Sequence, residues 1–223
     1  MRTKVKLKKQ QIKEDKFTTF MLQSREWLTD NWQVFAIGLA VVVVLIAAGF
    51  YYFKMQSDKA QQAGDRLAKA IAELRQQNFQ VAILDLKDLA DNYSGSVKAR
   101  AQFDLANAYY DNKSYDDAIT QYQKYIDEVH SDPLTTASAM AGVAACLENK
   151  QQFLAAGDKF AETVKAFPDS PAEPEYLVGA VRNYVAAGDS QKADSLVTVI
   201  NSKFPGSDFQ LAATRLAMQL QTQ

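Results

Sequence analysis

The chain has 223 residues, with 25 Lys and Arg against 26 Asp and Glu, one cysteine and one histidine. Such a balance lacks the basic footprint that nucleic-acid binding needs. The lone Cys146 excludes an internal disulfide, and His130 has no cysteine or histidine partner for a zinc set.

Residues 1–33 form a basic tail with eight Lys and Arg (Arg2, Lys4, Lys6, Lys8, Lys9, Lys13, Lys16, Arg25) against four acids. Residues 1–9 show no apolar period and read as a flexible arm. From Ile12 a helical spacing sets in, with Ile12, Phe17, Phe20, Met21, Trp27 and Leu28 largely on one face. Two uses fit this amphipathic helix. It lies on the inner leaflet with its aromatic residues in lipid, or it docks on another membrane protein.

Val34 to Phe53 is an uncharged run of twenty residues, VFAIGLAVVVVLIAAGFYYF. At 1.5 Å rise per residue it spans about 30 Å, the thickness of a bilayer's hydrocarbon core. It is longer than a signal-peptide apolar region and ends in Tyr51-Tyr52-Phe53-Lys54 without a small-x-small cleavage pattern. The expectation is an uncleaved transmembrane helix over 34–53. The twenty residues after it carry four basic residues (Lys54, Lys59, Arg66, Lys69) against eight before it. That bias places the tail in the cytoplasm and residues 54–223 outside it, and Trp32, Tyr51 and Tyr52 suit the headgroup region. Residues 54–223 then hold 17 basic against 22 acidic residues, a net charge of −5.

Met55 to Ala63 is polar and prolongs the helix by a turn or two. Beyond it nothing alternates as a strand would, and the five prolines (Pro133, Pro168, Pro171, Pro174, Pro205) fall at helix–turn–helix spacing. The chain also repeats itself. Ala82, Ala118, Ala156 and Ala193 lie 36, 38 and 37 residues apart. Twelve residues ahead of each stands a small or β-branched residue (Ala70, Ala106, Ala144, Val181), and four after each a bulky apolar one (Leu86, Tyr122, Phe160, Val197). Two copies end in Phe-Pro, at Phe167-Pro168 and Phe204-Pro205. Small residues where two helices cross, bulky ones a turn away and a terminating proline describe a helical hairpin. One hairpin cannot bury its own apolar face, so such hairpins stack into a solenoid.

This pattern resembles the tetratricopeptide repeat. The second copy matches best, with Leu105, Ala106, Tyr109, Ala118 and Tyr122. The third keeps Ala144, Ala156, Phe160 and Pro168, and the fourth keeps Tyr184, Ala193 and Pro205. The first has Lys69 and Glu73 where Leu and Tyr are expected. The fold expected is all-α: one N-terminal transmembrane helix, about four hairpins, and a terminal helix from about Asp208 to Leu220 that caps the last hairpin.

The whole layout is similar to the bacterial ancillary SecYEG translocon subunit family. The resemblance rests on the basic arm with Lys13-Glu-Asp-Lys16-Phe17, the Trp-flanked span and the loosely spaced repeats. It implies a single-pass inner-membrane protein with periplasmic repeats. Its implied role is non-enzymatic, beside SecYEG and a periplasmic chaperone. A second class stays open, a structural adaptor of cell-envelope assembly or division complexes.

In arrays of this kind the first helices of the hairpins line a concave groove. By repeat register the groove positions are Leu67, Ile71, Arg100, Phe103, Asn107, Tyr110, Ala141, Ala145, Glu148, Val178 and Arg182. Phe103, Asn107, Tyr110, Glu148 and Arg182 are the candidate partner-binding residues. Only Asn107 and Arg182, with Arg100 at the edge, offer the donors a carboxylate clamp needs, so an apolar partner segment suits the groove better. The terminal helix or a neighbouring protomer is the alternative occupant. No catalytic residue, metal site or cofactor is expected. His130 reads as a helix-end residue, Cys146 as a buried thiol, and Asp116-Asp117 and Asp127-Glu128 as solvated charge. The oligomeric state is left open.

Overall fold

The computed structural model describes residues 19–22, 29–130 and 132–220, all helices and turns. The arm over 1–9 lies outside the described residues, as do Ile12, Phe17, Trp27 and Leu28 of the amphipathic stretch. Residues 19–22 are helical, with Phe20 and Met21 exposed.

Two compact units divide between Lys59 and Ala60. Helix α1, Trp32–Arg75, belongs to both. In the first unit the large apolar side chains from Val34 to Phe53 are 50–73 % exposed, the reverse of a soluble core. This is one helix long and apolar enough to cross a membrane. The helix continues past the expected turn or two to Arg75 without a break. The reason lies in its residues: from Lys54 to Arg75 there is no proline, and Ala, Gln, Lys, Leu and Arg outweigh the single Gly64.

The second unit is a row of helical hairpins. The end of α1 pairs with α2 (Phe79–Asn92), α3 (Gly95–Asp111) with α4 (Tyr115–Lys124), α5 (Pro133–Asn149) with α6 (Phe153–Ala166), and α7 (Glu173–Ala187) with α8 (Ser190–Lys203). Helix α9, Asp208–Leu220, packs on α7 and α8 through Phe209, Ala213 and Leu216, as a terminal cap should. All eight crossing residues, Ala70, Ala82, Ala106, Ala118, Ala144, Ala156, Val181 and Ala193, have no exposed surface. Leu86, Tyr122 and Phe160 are buried as well, while Val197 is half-buried at the last hairpin. The expected hairpin register is therefore the observed one. Lys69, at a position where the pattern asks for Leu, stays exposed on the first hairpin.

Each hairpin turn has the same backbone. Gln77, Lys113, Gln151 and Gly188, each five residues before the repeat alanine, adopt φ of 60–76°. The N–H of each donates to the carbonyl three residues back (Leu74, Tyr110, Glu148, Val185). The next residue's N–H donates five back (Glu73, Tyr109, Leu147, Tyr184), at 2.9–3.1 Å. This is the Schellman closure, which satisfies the carbonyls left open at a helix end.

The turns between hairpins differ. Gly95, Asp169 and Gly206, each thirteen residues after the repeat alanine, are left-handed. The second hairpin instead ends in a five-residue π-helical turn, Tyr125–Val129, closed by the His130 N–H on the Tyr125 carbonyl at 3.0 Å. Helix α5 then restarts from Asp132, which accepts from the Thr135 N–H at 2.9 Å, with Pro133 in its first turn.

Candidate partner-binding groove

The first helices of the second, third and fourth hairpins line an open cleft of about 440 Å³. Its floor is small, made of Ala141, Gly142 and Ala145 from α5 and Gly179 from α7. The glycines matter because rings from the preceding hairpin lie against them. A Cβ at Gly142 would meet Tyr122 Cζ at 2.6 Å, and one at Gly179 would meet the Phe160 ring at 3.2 Å. Tyr122 and Phe160 therefore cross under the next helix and form part of the cleft wall, with Tyr110 and Tyr176 beside them.

The polar groups are ordered in pairs. The Tyr122 hydroxyl donates to Asn107 Oδ1 at 2.6 Å. Burial, then the nearby Cys146, Asp111, Tyr110 and Asp104, push the Tyr122 hydroxyl far above its ordinary value, so it remains a donor. Arg100 Nε donates to the buried Asp104 at 2.7 Å. Burial raises the Asp104 carboxyl against the opposing pull of Arg100 and Asn107. Arg182 grips Glu148 with two bonds, Nε to Oε1 at 2.6 Å and Nη2 to Oε2 at 2.8 Å. For Glu148, burial pulls upward, but the bonds from Arg182 and Asn183 and the Arg182 charge prevail and hold the carboxyl low. Tyr110 accepts from Asn149 Nδ2 at 3.1 Å and stacks edge-on with Tyr115.

Of the residues expected in the groove, Asn107, Tyr110, Ala141, Ala145 and Arg182 come together here, and Glu148 joins them through Arg182. Phe103 does not line the cleft. Its ring is half-buried and packs edge-on against Tyr122 and Tyr125, at centroid distances of 6.1 and 5.7 Å. Val178 packs in the cluster of the third and fourth hairpins, and Leu67 in that of the first. Ile71 is half-buried on the end of α1, and Arg100 is turned to Asp104. A carboxylate clamp is not formed, because Arg182 is engaged by Glu148.

Sequence reasoning missed Gly142, Glu175, Tyr176 and Gly179 as lining residues, and took Tyr122 and Phe160 for gap-fillers alone. A signal for the glycines was present: each stands two residues before the crossing residue of its helix, Ala144 and Val181. Nothing marked Glu175. Cys146 is buried, and burial pushes its thiol up to about 12, which keeps it unreactive. Among the described residues no three His, Cys, Asp or Glu side chains gather as a metal site.

Comparison with known proteins agrees with this geometry. Residues 67–133 match the family model of the tetratricopeptide repeat. Two crystal structures of nearly identical TPR-like repeats, assigned to a kinesin light chain of Podosopora anserina, share the fold. One, a single-residue variant, superposes with a TM-score of 0.55 at 15 % identity, over 71 % of this chain and 85 % of that one. The other gives 0.54 at 15 % identity, over 71 % and 86 %. No curated protein sequence matches the chain. The repeat unit is a tetratricopeptide-like α-solenoid, an architecture that serves protein–protein interaction.

Proposed function

We propose that this chain is a membrane-tethered, non-enzymatic scaffold whose groove holds a segment of a partner protein. Its place is the bacterial inner membrane, beside the Sec translocon. Residues 1–33 are cytoplasmic, 34–53 span the bilayer, and the repeats from residue 54 onward stand in the periplasm and engage a chaperone. The observation that carries this reading is helix α1. Its uncharged stretch from Val34 to Phe53 leaves every large apolar side chain exposed, and its continuation packs Ala63 and Ala70 into the first hairpin. Lipid is the solvent such a surface fits, and the excess of basic residues before the span supports the orientation.

Two measurements test it. A reporter active only in the cytoplasm, fused after Gln223, should be silent, and an active fusion would refute the orientation. A photo-crosslinking residue at Tyr110 in intact cells should yield adducts with a translocon subunit or a periplasmic chaperone. Adducts confined to division or outer-membrane assembly proteins would move the chain to an envelope adaptor role.

A further inference from the structure

The cleft is not electrically neutral, and its charges say what kind of segment it accepts. Both arginines beside it are engaged within the fold, Arg182 by Glu148 and Arg100 by Asp104. Neither is free to meet an anionic ligand without stranding a carboxylate that is a quarter exposed or less. Glu175 lines the cleft, is exposed, and has no ion pair among the described residues. Asp111, at the end of α3, adds its charge near the Tyr122 hydroxyl. Glu148 and Asp104 are matched by Arg182 and Arg100, so Glu175, with Asp111 near the Tyr122 hydroxyl, is the unmatched charge of the cleft, on a domain that is itself net negative.

The shape sets the other half of the preference. With Gly142 and Gly179 covered by the rings of Tyr122 and Phe160, the half-buried Ala141 and Ala145 leave room that no side chain of the fold fills, and the rings of Tyr110, Tyr122, Phe160 and Tyr176 give that room apolar walls. A volume of about 440 Å³ falls within the usual range for ligand-sized pockets. The Tyr110 hydroxyl, which accepts from Asn149, keeps its own proton for a peptide carbonyl.

We infer that the cleft takes an extended partner segment carrying a basic residue next to an apolar one, the cation at Glu175 and the apolar side chain over Ala141 and Ala145. The inference rests on the groove reading above and adds the chemistry of the partner. An acidic segment is excluded by Glu175 and by the like charge of the domain, and a purely apolar one leaves Glu175 without a counter-ion.

The test uses the full-length chain in mild non-ionic detergent on an array of nine-residue peptides. Three sets have equal apolar content and carry two Lys, two Gln or two Glu. An exposed ion pair alters affinity by up to about five-fold, so the Lys set should be retained about three- to five-fold over the Gln set, with the Glu set at background. Glu175→Gln, an exposed and nearly isosteric change, should bring the Lys-to-Gln ratio close to one. A wild-type ratio of one, or a ratio that Glu175→Gln does not move, overturns the inference. Ala145→Trp, checked for an unchanged helical melting curve, and Tyr110→Ala should both lower retention of every set. If retention survives both, or if the wild type retains no set, the groove reading fails as well.

Discussion

The turns inside the hairpins and the turns between them obey different rules. From the small residue of a hairpin's first helix to the alanine of its second is twelve residues in every copy. From that alanine to the small residue of the next hairpin is 24, 26 and 25. Inside a hairpin the chain reverses through one hydrogen-bonded closure, so the residue count cannot change without breaking it. Between hairpins the closure is loose, and one junction takes a left-handed glycine, another a π-helical turn, the others Phe-Pro followed by Asp169 or Gly206. The longest junction is the one with the π turn, the usual way a helix absorbs an inserted residue. What holds the variable junctions in register is side-chain packing, above all the rings of Tyr122 and Phe160 on Gly142 and Gly179.

The largest effect should come from filling those ring contacts. Ala in place of Gly inside a helix ordinarily stabilises by about 1 kcal/mol. At Gly142 the new methyl meets the Tyr122 ring at 2.6–2.8 Å, so Gly142→Ala should instead destabilise by about 1–3 kcal/mol. At Gly179 the approach is 3.2 Å, and Gly179→Ala should cost less. Denaturant melts of the two variants check both the sign and the order.

Next come the hairpin turns, where equivalent positions should answer with opposite signs. Gly188→Ala forces a Cβ into the left-handed region and should destabilise by about 1 kcal/mol. Lys113→Gly and Gln151→Gly relieve the same strain and should be neutral or gain up to about 1 kcal/mol. If all three variants moved together, the four turns would not be energetically equivalent.

A smaller effect is expected from shortening the variable junction. Deleting the exposed Asp127 from the π turn should return that segment to α-helix and alter stability by less than about 1 kcal/mol. Deleting Lys113 breaks the Schellman closure of a hairpin turn and should cost more than the Asp127 deletion. Thermal melts of the two deletions contrast the elastic and the inelastic reversal.

The smallest effect is the response to acid. Glu148 binds Arg182 across the third and fourth hairpins, and Asp158, held low chiefly by Lys192, does the same. A carboxyl held low in the fold contributes stability that is complete above its unfolded value and is lost as pH falls through the folded one. The melting temperature should therefore drop as pH falls from the ordinary carboxylate range toward those lowered values. Glu148→Gln should flatten that slope without altering the Gly142→Ala penalty.

Much of this was legible from residue types. Seven alanines and Val181 at fixed spacing specify a close helix crossing, and all eight are buried as expected. The cap from Asp208 to Leu220 and the cleft positions of Asn107, Tyr110, Ala141, Ala145 and Arg182 followed from the same register. Three things were not legible, each for a physical reason. Gln77, Lys113 and Gln151 give no sign of left-handed turns because glycine, the usual marker, is absent from three of the four. The grip of Arg182 on Glu148 spans 34 residues and depends on how far one hairpin rotates over the next. Phe103 shares its helix with the cleft residues, yet its ring is drawn off them toward Tyr122 and Tyr125.

The rings set on glycine carry a consequence for how such a protein can grow. A hairpin ending in a ring must be followed by one that offers a glycine two residues before its crossing residue. The third hairpin has both, Phe160 to give and Gly142 to receive, so its coding segment could be duplicated in tandem without a steric fault. The second has Tyr122 to give but Asp104 at the receiving position, and a copy of it placed after itself would set the ring against a carboxylate-bearing Cβ. Lengthening by gene duplication is thus open at one point of the array and closed at its neighbour, although both hairpins satisfy the same repeat pattern.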